Sequence, residues 1–186
     1  MKIGLFYGSD TGNTESVAET LRDEIGVDIV DIHEVFNSDL SELITQYDFI
    51  ILGVPTWYDG EMQNEWAEKL DDLDKVNLTG RKIALYGLGD QQDWGEYFCD
   101  AIAELAIKAQ ESGATIIGHW PSAGYDFTES KALVDDNTFV GLTLDEDRQP
   151  DLTECRIKTW LEQLKNELDI DSCIFWLIMN TDSDAS

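Results

Sequence analysis

Near-continuous apolar runs alternate with amphipathic stretches along this chain, and the alternation limits the folds that it can adopt. Residues 47–55, YDFIILGVP, have almost no polar positions, which is typical of a strand covered on both faces of a sheet. Similar runs occupy residues 2–8, 27–32, 81–89 and 113–120. Strand–helix alternation repeated along the whole chain predicts an α/β protein with a doubly wound parallel sheet.

The segments between these runs carry apolar residues at helical spacing. In residues 15–25, the apolar side chains at 17, 18, 21 and 25 fall on one face of a helix. One apolar face per segment is what a helix needs in order to pack on a sheet. The helices predicted in this way span residues 15–25, 38–44, 62–73, 97–109 and about 151–168.

Two segments do not follow the alternation. Residues 121–150 separate the fifth strand from the last helix, and a connection of that length indicates a functional insertion. Because no internal repeat or linker divides the chain, we predict one domain over residues 1–169. The tail, residues 170–186, contains an apolar sextet at 174–179 to which we assign no role.

The charge of the chain is strongly unbalanced, with 39 acidic residues against 12 basic ones and a formal net charge of −27. Such a surface repels nucleic acid and anionic membranes, and we exclude both as partners. A strong field also speeds the encounter with an oppositely charged protein. Taken alone, this acidity is explained by a solvated surface, and the functional alternative is steering toward a basic protein partner.

Cysteine and histidine usage indicates neither disulfides nor a metal site. Cys99, Cys155 and Cys173 form no CxxC pair, which fits reduced thiols in a cytosol. His33 and His119 are far apart in sequence and have no metal-ligand spacing. No run resembles a signal peptide or a membrane span. We therefore expect a cytoplasmic protein.

Ligands of doubly wound sheets bind beyond the carboxyl ends of the strands, and that rule selects three loops, residues 8–14, 55–61 and 88–97. The first lies within GSDTGNTE, where backbone N–H groups, hydroxyls and a helix N-terminus can hold a phosphate. It lacks the lysine of a Walker A loop and does not match GxGxxG. An ordinary capping turn is the alternative.

The other two loops supply aromatic rings. Trp57 and Tyr58 follow the third strand, where a planar ligand can stack on the indole, and Gly60 allows a positive φ beside it. Trp94 and Tyr97, three residues apart at the start of a predicted helix, can present rings to the same cleft. Packing in the core is the alternative for each ring.

The third loop adds polar recognition to these rings. Gly89 permits close approach of the backbone, and Asp90 can accept a hydrogen bond from a heterocycle N–H. Together the three loops provide a phosphate cradle, two stacking faces and a polar edge. A flat heteroaromatic phosphate such as FMN fits all three.

Five ordered motifs, spread over residues 2–168, resemble those of the flavodoxin family in its long-chain form. They are GSDTGNTE, PTWYDGE, GDQQDWGEYFCDA, GHWPSAGYDFTESKAL and FVGLTLDEDRQPDLT. The resemblance implies a flavodoxin-like, five-stranded parallel sheet in the order 2-1-3-4-5, with an insertion in the fifth strand. It also implies tightly but non-covalently bound FMN.

The resemblance further implies roles for single residues. Residues 9–14 would hold the FMN phosphate, Trp57 and Trp94 would cover the two faces of the isoalloxazine, and residues 88–90 would meet its pyrimidine edge. The 57–60 turn would face flavin N5. The implied cofactor-binding residues are Ser9, Asp10, Thr11, Gly12, Asn13, Thr14, Thr56, Trp57, Tyr58, Asp59, Gly60, Leu88, Gly89, Asp90, Trp94, Tyr97 and Asp147.

Two of these positions depart from the family's pattern. Trp94 stands where the family usually has tyrosine, a change that alters the overlap with the ring. Asp59 adds a carboxylate to the turn near flavin N5. Both differences bear on the reduction potential and leave the family assignment unchanged.

The implied function is that of a bacterial, monomeric, low-potential one-electron carrier without catalytic residues. Its partners would be basic redox proteins, such as a ferredoxin/flavodoxin-NADP reductase and downstream oxidoreductases. The alternative on the same fold is an FMN-dependent NAD(P)H:quinone reductase, which needs an open flavin face. A phospho-acceptor receiver domain is disfavoured, because Pro55-Thr56-Trp57 and His119-Trp120 stand where it needs an aspartate and a lysine.

Overall fold

The structure is a computed structural model that describes residues 1–168. The predicted tail, residues 170–186, lies outside the described residues. The strands are β1 (Ile3–Tyr7), β2 (Val30–Glu34), β3 (Phe49–Trp57), β4 (Glu61–Met62), β5 (Lys82–Leu88), β6 (Thr115–Ile117), β7 (Trp120–Pro121), β8 (Leu133–Asp135), β9 (Thr138–Phe139) and β10 (Leu142–Leu144). The helices are α1 (Asn13–Ile25), α2 (Leu40–Leu43), α3 (Asn64–Lys69), α4 (Ala101–Glu111) and α5 (Pro150–Glu167).

Parallel pairing arranges the main sheet in the order β2-β1-β3-β5, and two separate segments fill the position next to β5. β6 pairs with the first half of β5, with Thr115 opposite Lys82. β10 pairs with its second half, with Leu142 opposite Tyr86. The predicted order 2-1-3-4-5 is confirmed, and the insertion interrupts the fifth strand.

Two neighbouring residues of β5 show that helices cover both faces of the sheet. The hydroxyl of Tyr86 donates a hydrogen bond to the carbonyl of Thr14 in α1, at 3.0 Å. A Cβ at Gly87 would lie 2.4 Å from a methyl group of Ile102 in α4. Because successive residues of a strand point to opposite faces, α1 and α4 lie on opposite sides of the sheet.

The insertion forms a small antiparallel sheet of its own, in the order β7-β9-β8. Its buried Phe139 packs against Tyr125 and Phe127, and all three rings contact Phe98 in the segment before α4. Aromatic clusters of this kind bury a large apolar area. The insertion is therefore fastened to the chain between β5 and α4.

The start of α4 differs from the prediction. The helix begins at Ala101 and not at residue 97, so Trp94 and Tyr97 lie in turns and not on a helix. The reason is the backbone of Cys99, whose φ of 56° cannot continue a right-handed helix. Trp94 and Tyr97 are instead joined by a turn, in which the Tyr97 N–H donates to the Trp94 carbonyl at 2.9 Å.

Other predicted elements also have different bounds, and two of them differ in more than their end residues. The second strand begins at Val30, because residues 27–29 form a turn. The predicted helix over residues 62–73 divides into α3 and a 3₁₀ segment, Leu70–Lys75. In residues 1–168, no helix has the length and apolarity that a membrane crossing requires.

Candidate functional site

The three loops selected from the sequence meet in one cleft at the carboxyl ends of β1, β3 and β5. The cleft has a volume of about 140 Å³. Of the predicted binding residues, those that line it are Asp10, Thr11, Asn13, Thr14, Thr56, Trp57, Tyr58, Leu88, Gly89, Asp90, Trp94 and Asp147. The predicted residues that do not line it are Ser9, Gly12, Asp59, Gly60 and Tyr97.

The loop before α1 presents uncapped backbone donors to this cleft. Gly12 occupies the N-cap position with a φ of 90°, and no side chain caps the helix. The first turn of a helix has N–H groups without intrahelical partners. The Ser9 hydroxyl closes the turn before the helix by accepting a hydrogen bond from the Gly12 N–H at 3.0 Å. Asn13 and Thr14, the first helical residues, therefore present free donors to an anion.

Aromatic side chains from two loops line the cleft. The Tyr58 ring lies 6.3 Å from the Trp57 ring and 6.5 Å from the Trp94 ring, edge-on to the latter. Tyr58 and Trp94 are exposed, at 65% and 45%, which is unusual for large aromatic residues. The Nε1–H group of Trp57 is buried without a hydrogen-bond partner. A buried donor left unpaired is destabilising, which indicates that a ligand or water supplies an acceptor.

The turn after Trp57 is held from behind by the start of α4. Thr56 Oγ1 accepts a hydrogen bond from the Ala101 N–H at 3.1 Å. Gly60 has a φ of 89°, and its N–H donates to the Tyr58 carbonyl at 2.8 Å. Tyr97 packs near Gly60, since an added Cβ at Gly60 would lie 3.3 Å from the Tyr97 ring. These contacts fix the turn that carries Trp57 and Tyr58.

Asp90 is engaged by protein donors at the rim of the cleft. Arg148 donates to both carboxylate oxygens, at 3.2 and 3.0 Å, and the backbone N–H groups of Gln92 and Asp93 donate at 2.8 and 2.9 Å. Burial raises the pKa of Asp90, but the hydrogen bonds from Arg148 and the two amides outweigh it, so that this pKa is lowered. Any heterocycle N–H that Asp90 accepts must share the carboxylate with these donors.

The cleft is acidic, and its described lining contains neither lysine nor arginine. Its carboxylates are Asp10, Asp90, Glu146 and Asp147. Arg148 neutralises Asp90 from outside the lining and also pairs with Asp93 at 2.5 Å. Among the described lining residues, no lysine or arginine side chain is therefore available to compensate an anion.

The sequence analysis missed two lining residues, Pro55 and Glu146, and one supporting residue, Asp145. The carboxylate of Asp145 is fully buried and accepts four hydrogen bonds, from Gln91 N and Nε2 and from the backbone N–H groups of residues 147 and 148. It joins the 88–97 loop to the 145–148 turn. In the sequence it stands within the acidic run LDEDR, which is indistinguishable from a solvated surface segment.

Comparisons with known proteins agree with this geometry. The family model for flavodoxin matches residues 5–160. Flavodoxin 1 of Escherichia coli (strain K12) is 46% identical over 171 residues, which cover 92% of this chain and 97% of that protein. A flavodoxin of Synechococcus elongatus is 50% identical over 170 residues, 91% of this chain and 99% of that protein.

Solved structures give the same result for the fold. The crystal structure of a Fusobacterium nucleatum flavodoxin bound to flavin mononucleotide is similar, with a TM-score of 0.83 and 31% identity. The match covers 89% of this chain and 98% of that one. The flavodoxin-like fold, with its parallel sheet and flanking helices, is therefore shared.

Proposed function

The chain belongs to the flavodoxin family, and on that premise we propose that it is a low-potential carrier of single electrons that holds FMN non-covalently in the cleft. Flavodoxins are FMN-binding electron-transfer proteins and not enzymes with a substrate of their own. The observation that carries the proposal is the meeting of an uncapped helix N-terminus and two indoles in one acidic cleft.

The donor set at the start of α1 fits the phosphate of FMN. The uncapped amides of the first turn, the hydroxyls of Thr11 and Thr14 and the amide of Asn13 are neutral donors that face the same part of the cleft. A helix N-terminus binds an anion through its N–H groups and its dipole, so that no lysine is needed. Thr56, from the next loop, would close this end of the site.

The aromatic part of the cleft fits the isoalloxazine ring. Trp57 and Trp94 come from different loops and can cover its two faces, and the unpaired Nε1–H of Trp57 can donate to a bound polar group. Leu88, Gly89 and Asp90 would lie along the pyrimidine edge. When bound, FMN supplies a ring system that takes up and releases electrons one at a time.

The residues of the chain then determine how readily negative charge is added at this site. Asp10, Glu146 and Asp147 line the cleft, Asp59 lies in the adjacent turn, and no described lining residue carries a positive charge. Two unit charges of the same sign about 6 Å apart repel by roughly 3 kcal/mol at an effective dielectric constant of about 20, before screening. The carboxylates thus disfavour the addition of an electron to bound FMN, which corresponds to a low reduction potential of the cofactor.

The net charge of −27 supports basic redox proteins as partners, for example a reductase that is itself reduced by NADPH. We further propose a cytoplasmic monomer whose FMN-binding unit comprises residues 1–169. The tail, residues 170–186, would be dispensable for binding. A chain that stops after residue 169 should bind FMN with the same Kd as the full chain, and a weaker Kd would contradict this division.

Reconstitution tests the proposal directly. The apoprotein should quench FMN fluorescence until it is saturated at one FMN per chain. Trp57→Ala should weaken binding, because a stacking face is lost, whereas Phe36→Ala provides a matched control at an exposed ring that does not line the cleft. An apoprotein that does not bind FMN, or equal losses in both variants, would refute the proposed site.

Mixing the FMN-loaded protein with NAD(P)H alone separates a carrier from a reductase. A carrier should remain oxidised until a reductase protein is added, because both faces of the ring are covered and only an edge is open to electron exchange. Rapid direct reduction by NAD(P)H would support the enzyme instead.

A further inference from the structure

A buried carboxylate lies behind the 58–60 turn, outside the residues assigned to FMN. Asp100 is 2% exposed and occupies the N-cap position of α4. An aspartate at this position normally accepts from the first amides of its helix, but the Asp100 side chain makes no such capping bond. Helix capping therefore does not explain the burial of this charge.

The carboxylate points instead toward the turn. A Cβ at Gly60 would lie 2.8 Å from Asp100 Oδ2, so the glycine backbone and this oxygen are in close contact. Oδ2 is buried and accepts no hydrogen bond. In the same junction, the Ala101 N–H donates to Thr56 Oγ1, which seats the first residue of α4 against the loop that carries Trp57.

The counter-charge of Asp100 comes from the insertion. The backbone N–H of Lys131 donates to Asp100 Oδ1 at 2.7 Å, and Lys131 Nζ lies 3.2 Å from Oδ2 without the alignment of a hydrogen bond. The Lys131 side chain is 64% exposed, whereas that of Asp100 is 2% exposed. Because water screens the exposed ammonium more than the buried carboxylate, Lys131 compensates the negative charge of Asp100 only in part.

We propose that Asp100 is a positioning residue for the 58–60 turn, and that its buried charge, partly balanced by Lys131, lowers the reduction potential of FMN bound in the cleft. The carboxylate fills the space behind Gly60 and so limits the positions of the turn that carries Tyr58 and Asp59. Because Lys131 belongs to the insertion in the fifth strand, the insertion contributes to the reduction potential of bound FMN. This inference rests on the proposed function.

Charge variants of the pair test the inference. Asp100→Asn keeps the shape and the acceptor for the Lys131 N–H but removes the negative charge. Lys131→Gln, at an exposed position, removes the positive charge that partly compensates the Asp100 carboxylate. Asp71→Asn is the matched control, since it changes the net charge equally at a side chain that is 87% exposed. For each protein, an anaerobic titration gives both one-electron midpoint potentials, and fluorescence gives the Kd of oxidised FMN.

We expect opposite shifts from the two members of the pair. Asp100→Asn should raise the low-potential couple, Lys131→Gln should lower it by a smaller amount, and Asp71→Asn should leave it unchanged. The double variant should lie between the two single variants, because the fields of the two charges at the cofactor add. A residue that only filled space would not produce shifts of opposite sign.

Other outcomes would overturn the inference. Equal shifts in Asp100→Asn and Asp71→Asn would mean that only net charge matters. Upward shifts in both Asp100→Asn and Lys131→Gln would mean that the variants merely disturb the turn. Wild-type protein that binds FMN while no variant shifts its potentials would refute this inference alone. Wild-type protein that does not bind FMN would refute the proposed function and, with it, this inference.

Discussion

At the scale of single residues, the buried carboxylate of Asp145 joins two of the segments that line the cleft. Asp145 accepts hydrogen bonds from both the backbone and the side chain of Gln91, and from two backbone N–H groups of the turn that follows it. Its side chain is shielded from water, so these donors have no alternative partner. Two walls of the site thus depend on one side chain.

Replacing Asp145 with asparagine should therefore destabilise the apoprotein strongly. The new NH₂ group would face donors, and each buried group left unpaired costs about 1–3 kcal/mol. We expect a loss of about 3 kcal/mol in the free energy of unfolding, measured by urea denaturation. Asp147→Asn, at an exposed position in the same turn, should change stability by less than about 0.5 kcal/mol. Similar losses in both variants would show that the buried contacts are unimportant.

The sequence predicted the residues that meet a ligand better than the residues that support them. Trp57 and Trp94 stand in loops of unusual composition, and the structure brings both to the cleft. Asp100 and Asp145 find their partners 31 and 54 residues away along the chain. Nothing in the local sequence distinguishes such an acid from a solvated one, because its role depends on tertiary contacts.

At the scale of elements, the periodicity of apolar residues predicted the first four parallel strands and the buried face of the first helix, whereas the strand order and the divided fifth strand were implied only by the family resemblance. The four buried residues expected on the first helix are buried in α1, and β3 is buried over its first seven residues. Periodicity could not predict where α4 begins. Phe98 is apolar and in phase with the helix, but the backbone of the buried Cys99 has a φ of 56°, and no glycine or proline marks this interruption in the sequence.

The loop before α1 should respond to an added cation. Asp10 lines the cleft beside the uncapped N-terminus of α1, and Asp10→Lys would introduce the positive charge that this loop lacks. We expect the low-potential couple of bound FMN to rise, because the lysine offsets part of the phosphate charge. Glu19→Lys, exposed on α1, makes the same charge change away from the cleft. Equal potentials in Asp10→Lys and wild type would contradict the expectation.

At the scale of the whole molecule, the net charge of −27 should govern the encounter with partners. Salt screens charges beyond about 10 Å at 0.1 M ionic strength. The second-order rate of reduction by a basic reductase should therefore fall as ionic strength rises, as stopped-flow absorbance can measure. The rate of reduction by dithionite, which needs no docking, serves as the comparison. A reductase rate that is independent of salt would argue against electrostatic steering.

The division of the fifth strand has a consequence for the order of events during folding. β6 follows α4 directly, whereas β10 must bring back a chain that has passed through the whole insertion before it can pair with the same strand, β5. Contacts between distant segments close more slowly than local ones. The turn that holds Asp145 comes directly after β10, so we expect this wall of the cleft to form late. In refolding experiments, amide protection of β1, β3 and β5 should then precede the ability to quench FMN fluorescence.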